Sequence, residues 1–191
     1  MTYWAGRRVT ITGGASFIGS HLTEAILDAG SAVRVVDDLS SGSLANLSRV
    51  LPDIDLVEGD LRDPAVARKA CHDREIVLHL AANHGGRGYV DLHQAACATN
   101  LGLDQTVFSA AIDEGVDKVV FASSGCVYPN HLQTDTSAEL YLTEEMVGPP
   151  YEPDGMYGLA KLAGELTLRA LHTEHGLAAA SCRYFTVYGP R

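Results

Sequence analysis

Short apolar runs alternate along the chain with longer stretches whose apolar residues recur at helical spacing. The short runs predict six β-strands, at 8–12, 32–37, 55–58, 76–81, 118–122 and 179–184. The longer stretches predict helices, over 17–29, from Pro64 onward, over 92–114 and over 156–175. From Pro129 to Pro153 the periodicity is lost, which predicts a long surface excursion over a site. Strands that alternate with helices in this way indicate an α/β domain built on a parallel sheet.

Charge and composition narrow the class of partner. Of the 191 residues, 46% are hydrophobic and 20% are charged, the proportions of one soluble globular domain. Lys and Arg number 14 against 24 Asp and Glu, which gives a net charge of −10. Because such a chain is repelled by a phosphate backbone or an anionic lipid surface, we expect neither nucleic acid nor a membrane as its partner.

The cysteines and the N-terminus favour the cytoplasm. Cys71, Cys97, Cys126 and Cys182 form no C-x-x-C pair, so we expect free thiols and neither a zinc site nor a dithiol redox motif. The opening MTYWAGRRVTITGG enters the first strand without an apolar signal region, and no apolar run reaches membrane-spanning length. These features predict a cytoplasmic protein.

A glycine-rich turn follows the first predicted strand and opens the first helix. It contains Gly13, Gly14 and Gly19, and glycines allow a backbone to bend tightly and to approach a pyrophosphate at a helix N-terminus. Asp37 ends the second strand, 18 residues beyond Gly19. A carboxylate there accepts hydrogen bonds from the ribose of NAD and repels the extra phosphate of NADP. The alternative for Asp37 is an ordinary strand-end acid.

A second group of residues has the chemistry of a redox site. Tyr157 and Lys161 are four positions apart and therefore share one helix face. A free phenol has a pKa near 10, and we expect the adjacent ammonium to lower that of Tyr157. Ser124, at the end of the fifth strand, would bind the same substrate oxygen. Together they would remove the proton of a sugar hydroxyl, although a Y-x-x-x-K pair alone is common on exposed helices.

Several motifs, in their order along the chain, resemble the extended short-chain dehydrogenase/reductase family: TGGASFIGSHL, VVDDLSSG, GDLRD, HLAA, Asn100, SSGCVYP, YGLAK and RYFTVYGPR. The resemblance implies a Rossmann-type doubly wound sheet in three α/β/α layers, with NAD as cofactor. It also implies a smaller C-terminal domain that binds a nucleotide-diphosphate sugar. Residues 1–191 would then be the NAD-binding domain, with the substrate domain largely absent beyond Arg191.

The resemblance carries residue roles with it. It places the cofactor against Gly13, Ser16, Phe17, Ile18, Gly19, Asp37, Asp38, Asp60, Leu61, Leu80, Ala81, Ala82, Tyr157 and Lys161. It places the substrate against Gly85, Gly86, Ser124, Cys126, Tyr157 and Thr186. Asn100 would support Lys161 through water, and a homodimer would pair the long helices around Asn100 and Tyr157. Asp60 has a loop acid as its alternative interpretation.

Two departures from the family pattern affect the predicted site. Ser16 replaces a glycine of the phosphate turn, and its hydroxyl could donate to a phosphate oxygen. Thr186 stands where the family usually carries Asn, which removes one expected contact to the sugar nucleotide.

Cys126 extends the range of reactions to consider. Residues 123–129, SSGCVYP, resemble the corresponding segment of GDP-mannose 3,5-epimerases and, less closely, of GDP-fucose synthases. In both, the cysteine two places after the serine acts as an acid or base beside a C4 ketone. A thiol suits that proton transfer, whereas the plain alternative for Cys126 is a small buried hydrophobe. His84, in the glycine-rich loop that follows the fourth strand, is a second candidate proton donor or a surface histidine.

Three interpretations of function stay open on the sequence. The first is an NAD-dependent nucleotide-sugar epimerase that transiently oxidises the sugar at C4, with further epimerisation at C3 and C5 through Cys126. The second is a UDP-sugar 4-epimerase that needs only Ser124, Tyr157 and Lys161. The third is a non-catalytic NAD-binding fragment or split subunit. A 4,6-dehydratase is disfavoured because Gly125 and Cys126 replace the Asp-Glu pair of that branch, and Asp37 disfavours an NADPH-dependent reductase.

Overall fold

In a computed structural model, residues 3–133 and 139–191 are described, and they are organised around one sheet. Its six strands all pair in parallel, in the order β3-β2-β1-β4-β5-β6. They are β1 Arg8–Thr12, β2 Ala32–Asp37, β3 Asp55–Glu58, β4 Ile76–His79, β5 Lys118–Ser124 and β6 Ala178–Tyr184. All six predicted strands are confirmed, although β4 ends two residues earlier than expected and β5 continues to Ser124.

The helices of the described residues cover both faces of the sheet. They are α1 Phe17–Asp28, α2 Pro64–Cys71, α3 Arg87–Leu92, α4 Gln94–Ala98, α5 Asn100–Asp113 and α6 Gly155–His175. Asp63 caps α2 by accepting a hydrogen bond from the Ala65 amide, and Pro64 fills its first position. Gly176 ends α6 in the left-handed conformation, with φ of 74°.

The single helix predicted over 92–114 is wrong, because this segment is divided into α3, α4 and α5. His93 lies between α3 and α4 with φ of −120° and ψ of 46°, and its ring stacks on Tyr89. The Thr99 hydroxyl donates to the Ala96 carbonyl where α5 begins. Polar side chains that bond to nearby backbone compete with continuous helical hydrogen bonding, which accounts for the breaks.

Apolar side chains pack on each face of the sheet. Val77, Val119 and Phe121 point to the layer that contains α2, α5 and α6. Val9 and Val35 point to the opposite layer, which contains α1. Successive strand residues alternate between the two faces, so a sheet covered on both sides needs apolar residues at nearly every position. This arrangement confirms the predicted three-layer Rossmann-type fold.

The excursion from Pro129 to Pro153 has no α-helix or β-strand in its described part. It contains two short 3₁₀ turns, at Asn130–Gln133 and Glu144–Met146. Residues 134–138 of the predicted excursion lie outside the described residues. Within 3–133 and 139–191, the structure has no helix that combines the length and apolarity needed to cross a bilayer.

Candidate active site

The turn between β1 and α1 brings three backbone segments together. Gly13 has φ of +68°, and a side chain on it would lie 2.9 Å from the backbone nitrogen of Ala81, after β4. A side chain on Gly19 would overlap the Gly13 carbonyl. Ser16 is the N-cap of α1 and makes no side-chain hydrogen bond to the helix; its hydroxyl donates to the Gly13 carbonyl at 2.6 Å. The glycines are therefore required by close backbone contact at this turn.

Asp37 joins the end of β2 to this turn. Its carboxylate is 6% exposed and accepts hydrogen bonds from the backbone amides of Ala15 and Leu39, each at 2.9 Å. Burial raises the pKa of Asp37, and these two amides oppose that shift. The site of the predicted ribose acid is thus a buried carboxylate held by the glycine-rich turn.

Most of the predicted cofactor residues line one crevice at the carboxyl ends of β1, β2 and β4. They are Gly13, Ser16, Asp37, Asp38, Asp60, Leu61, Leu80, Ala81 and Ala82. Phe17, Ile18 and Gly19, in the first turn of α1, are not among its lining residues, and neither are Tyr157 and Lys161 on α6. Residues that the sequence analysis did not assign to the cofactor also line it: Ser40, Ser41, Gly59, Arg62, Asn83, His84, Tyr89, Thr99 and Leu103.

Arg62 is a cation that sequence reasoning missed. Its guanidinium contacts the Asp60 carboxylate at 2.6 and 3.0 Å, and this pair lowers the pKa of Asp60. The spacing of two residues in GDLRD was the available signal. Asp60 therefore meets the crevice as half of an ion pair and not as a lone acid.

The predicted redox residues lie where α6 packs on β5. Ser124 ends β5, and its hydroxyl oxygen accepts a hydrogen bond from the Cys126 amide at 3.1 Å. The Cys126 carbonyl accepts one from the Asp154 amide at 2.8 Å, and Gly158 lies directly against it. The segment of Ser124 and Cys126 is thereby fastened to the helix turn that carries Tyr157.

Tyr157 and Lys161 share the inner face of α6. Lys161 is 1% exposed, and its Nζ lies 4.5 Å from the Phe121 ring centroid and 5.9 Å from that of Tyr157. Burial lowers the pKa of Lys161, and the charge of Asp104 opposes this. Burial also raises the pKa of Tyr157, with smaller contributions in the same direction from Cys126 and Asp104. The expectation of a lowered phenol pKa is wrong for this structure, because desolvation of the phenol dominates.

Asn100 is fully buried and bonds to a loop. Its side-chain oxygen accepts from the Asn83 amide at 2.7 Å, and its side-chain nitrogen donates to the Asn83 carbonyl at 2.9 Å. This pair of hydrogen bonds fixes the start of the glycine-rich loop after β4. Support of Lys161 by Asn100 stays a prediction.

The predicted substrate residues outside the redox group are exposed. Gly85 and Gly86 lie in the loop before α3, and Thr186 follows β6. His84 is exposed as well, yet desolvation of its ring and the charge of Lys161 lower its pKa. Of these residues, only His84 is shown by the described part of the chain to lie within the electrostatic influence of the redox group.

A sheet of this strand order, with a dinucleotide-type glycine turn and a Tyr-Lys pair beside its fifth strand, defines a Rossmann-type α/β protein. The chain belongs to the NAD dependent epimerase/dehydratase family, which matches residues 9–191. This confirms the family that the motifs predicted.

Individual relatives agree with that assignment. The chain is 33% identical to UDP-glucose 4-epimerase of Azospirillum brasilense, over 97% of this chain and 50% of the relative. It is 30% identical to GDP-mannose 3,5-epimerase 1 of Oryza sativa subsp. indica, over 98% and 49%. The structure of Thermus thermophilus UDP-glucose 4-epimerase complexed with NAD matches with a TM-score of 0.82 and 33% identity, over 96% and 57%. The chain spans about half the length of the curated relatives it matches.

Proposed function

We propose that this chain is the cofactor-binding part of an NAD-dependent nucleotide-sugar epimerase that inverts a sugar carbon through a transient ketone at C4. The observation that carries the proposal is that Ser124, Tyr157 and Lys161 come together where α6 packs on the carboxyl end of β5. The glycine-turn crevice lies at the same edge of the sheet, and one of its lining residues, His84, is influenced by the Lys161 charge. The family and its 4-epimerase members support the same chemistry.

The crevice residues fit NAD. The N-cap of α1 leaves the first helix amides without a side-chain partner, and such amides bind a pyrophosphate. Gly13 and Gly19 allow the backbone approach that a side chain would block. Asp37 and Asp38 place carboxylates at the end of β2, where ribose hydroxyls are bound and a 2′-phosphate is repelled. When bound, NAD supplies the acceptor for the hydride that leaves the sugar carbon.

The protein side chains manage the proton. Tyr157 is held protonated in the absence of substrate, because burial raises its pKa. The base is therefore the phenolate, which forms when Tyr157 releases its own proton to solvent, and the Lys161 ammonium stabilises it. The phenolate would then accept the proton of a sugar hydroxyl that hydrogen-bonds to both Ser124 and Tyr157.

The test uses the purified protein without any truncation. NAD binding is measured by calorimetry, and the interconversion of UDP-glucose and UDP-galactose by chromatography. We expect Tyr157→Phe to bind NAD as wild type does and to lose turnover by about 10²- to 10⁴-fold. The matched control Tyr151→Phe removes an exposed phenol and should keep full turnover.

The outcomes separate the alternatives. Full turnover by Tyr157→Phe would remove this tyrosine from the mechanism. NAD binding without turnover of any nucleotide sugar would favour the non-catalytic module or split subunit, and absence of NAD binding would overturn the proposal as a whole.

A second candidate function adds inversion at C3 and C5. It is favoured by the position of Cys126, which is partly exposed, follows Ser124 by two residues and influences the pKa of Tyr157. A ketone at C4 acidifies the protons on C3 and C5, and a thiol at this position would exchange them. With GDP-mannose in deuterated water, wild type should incorporate label at C3 and C5 and Cys126→Ser should lose it. Absence of label in wild type would restrict the activity to C4.

We further propose a cytoplasmic homodimer. The four cysteines are all free, the state that a reducing cytoplasm maintains. Leu92, Leu101 and Leu159 are exposed on α3, α5 and α6, the helices around Asn100 and Tyr157. Light scattering coupled to size exclusion should give twice the chain mass, and a monomer at micromolar concentration would contradict the dimer.

A further inference from the structure

A chain of hydrogen bonds that the proposed mechanism does not use runs behind the crevice. Asp104, in α5, is 2% exposed, and its Oδ1 lies 3.1 Å from Nε2 of the fully buried His79. The second oxygen, Oδ2, is buried and has no hydrogen-bond partner among residues 3–133 and 139–191. An unpartnered buried carboxylate oxygen is costly and requires an explanation.

The protonation state of His79 follows from its other neighbour. Thr12 Oγ1 accepts hydrogen bonds from the amides of Leu80 and Ala81, at 3.0 and 3.1 Å, so its own proton goes to Nδ1 of His79 at 2.7 Å. The proton of a neutral His79 therefore lies on Nε2, which donates to Asp104.

The free oxygen of Asp104 faces the helix that carries the redox pair. A side chain on Gly164 would lie 3.4 Å from Oδ2 and 2.7 Å from the Phe121 ring. Gly164 follows Lys161 by three residues, so the two share a helix face. The Phe121 ring also lies under the Lys161 ammonium and stacks on His79. Lys161 in turn has no hydrogen-bond acceptor among the described side chains near it.

We propose that Asp104 is the buried counter-charge of Lys161, a positioning residue that keeps the ammonium protonated beside Tyr157. This inference rests on the proposed function. A buried ammonium without an opposite charge loses its proton, and the unpartnered Asp104 oxygen lies against the helix turn of Gly164, three residues after Lys161. The Asp104 carboxylate thus sets the pH range in which Lys161 is protonated while Tyr157 can act as a base.

Asp104 shifts the pKa values of Lys161 and Tyr157 in the same direction. Its charge raises the pKa of Lys161 and also raises that of Tyr157. The other titratable groups that act on this pair are the Cys126 and Cys97 thiols on Tyr157, and His84, which the Lys161 charge influences. Removal of the Asp104 charge should therefore move both limbs of the activity profile toward lower pH.

The variant Asp104→Asn tests this because an amide oxygen still accepts from His79. In lysine labelled with ¹³C at Cε, the pKa of Lys161 should fall by about 1 unit relative to wild type, with or without NAD. The pH profile of kcat should keep its shape and shift by about the same amount toward acid. The matched control Glu165→Gln removes a carboxylate one turn further along α6, where Arg183 already pairs with it, and should leave both measurements unchanged.

The results distinguish this inference from the proposed function. A wild type that turns over, with an unmoved Lys161 titration in Asp104→Asn, would overturn the counter-charge alone. A shifted Lys161 titration in a protein without turnover would support the counter-charge and contradict the epimerase. Should Asp104→Asn not fold, Lys161→Met/Asp104→Asn is expected to fold because both charges leave together; an unfolded double variant would overturn the inference.

Discussion

Two buried charges lie one turn apart on α6 and are treated differently by the protein. Both oxygens of Glu165 contact the Arg183 guanidinium, at 3.0 and 2.8 Å, and the Ser123 hydroxyl donates to the same carboxylate at 2.5 Å. Within 3–133 and 139–191, the Lys161 ammonium makes no hydrogen bond: it lies 4.5 Å from the Phe121 ring centroid and 5.9 Å from that of Tyr157, and the charge of Asp104 acts on it. We call the Glu165 site, whose carboxylate is fully hydrogen-bonded, the closed site. The Lys161 site, whose ammonium lacks such hydrogen bonds among the described residues, is the open site.

The difference separates a structural charge from a functional one. A buried ion whose hydrogen bonds are satisfied holds two elements in a fixed arrangement, here α6 and β6. A buried ion without such bonds retains the freedom to change its proton or its partner, which catalysis requires. The open site is also the one that packs on β5, through the Phe121 ring.

The largest expected effect concerns activity at the open site. Lys161→Met should lower kcat by about 10³-fold, because the phenolate of Tyr157 loses the charge that stabilises it. Glu165→Gln, at the closed site, should change kcat by less than about 3-fold, well inside the range of a group outside the mechanism. Steady-state kinetics on both variants check the pair, and equal losses would erase the distinction between the sites.

The next effect concerns stability at the closed site. Glu165→Ala should lower the free energy of unfolding by about 2 kcal/mol, because the half-buried Arg183 guanidinium loses its carboxylate and the Ser123 hydroxyl loses its acceptor. Urea unfolding measures the change. Glu165→Gln keeps an acceptor for Ser123 and should lose less. A loss below about 1 kcal/mol in Glu165→Ala would place the pair with ordinary surface salt bridges.

The sequence identified the residues of the open site in part. Tyr157 and Lys161 were found because helical spacing and a preceding strand fix their relative position. Asp104 and His79 were not, because their roles depend on burial and on the Thr12 hydrogen bond, which no local spacing encodes. The predicted effect of Lys161 on Tyr157 failed for the same reason: sequence gives proximity but not desolvation.

The fold was likewise predicted only in part. The strands followed from short apolar runs, since a sheet covered on both faces makes each run nearly continuous. The helix over 92–114 failed because its apolar spacing continues through His93 and Thr99, where side-chain hydrogen bonds interrupt the backbone pattern. Arg62 was missed because its spacing of two residues from Asp60 produces an ion pair only when the turn folds so that the two side chains meet.

The smallest expected effect is a difference between the two sites in how the free energy of unfolding depends on pH. The folded pKa of Lys161 lies below its unfolded value of 10.5, so between these values the unfolded chain binds one more proton and stability rises with pH. Relative to Lys161→Met/Asp104→Asn, wild type should therefore gain stability from pH 7 to pH 10. The gain is about 1.4 kcal/mol for each unit by which the folded pKa is lowered within that range.

Glu165→Ala provides the contrast in the same urea measurements. The pKa of Arg183 is raised above its ordinary value by its hydrogen bond to Glu165, so the guanidinium keeps its charge from pH 7 to pH 10. The gap between wild type and Glu165→Ala should stay constant over this range. Two results would contradict this explanation. One is a stability difference between wild type and Glu165→Ala that changes from pH 7 to pH 10. The other is a double variant whose free energy of unfolding depends on pH as that of wild type does, because the pH dependence would then not arise from Lys161.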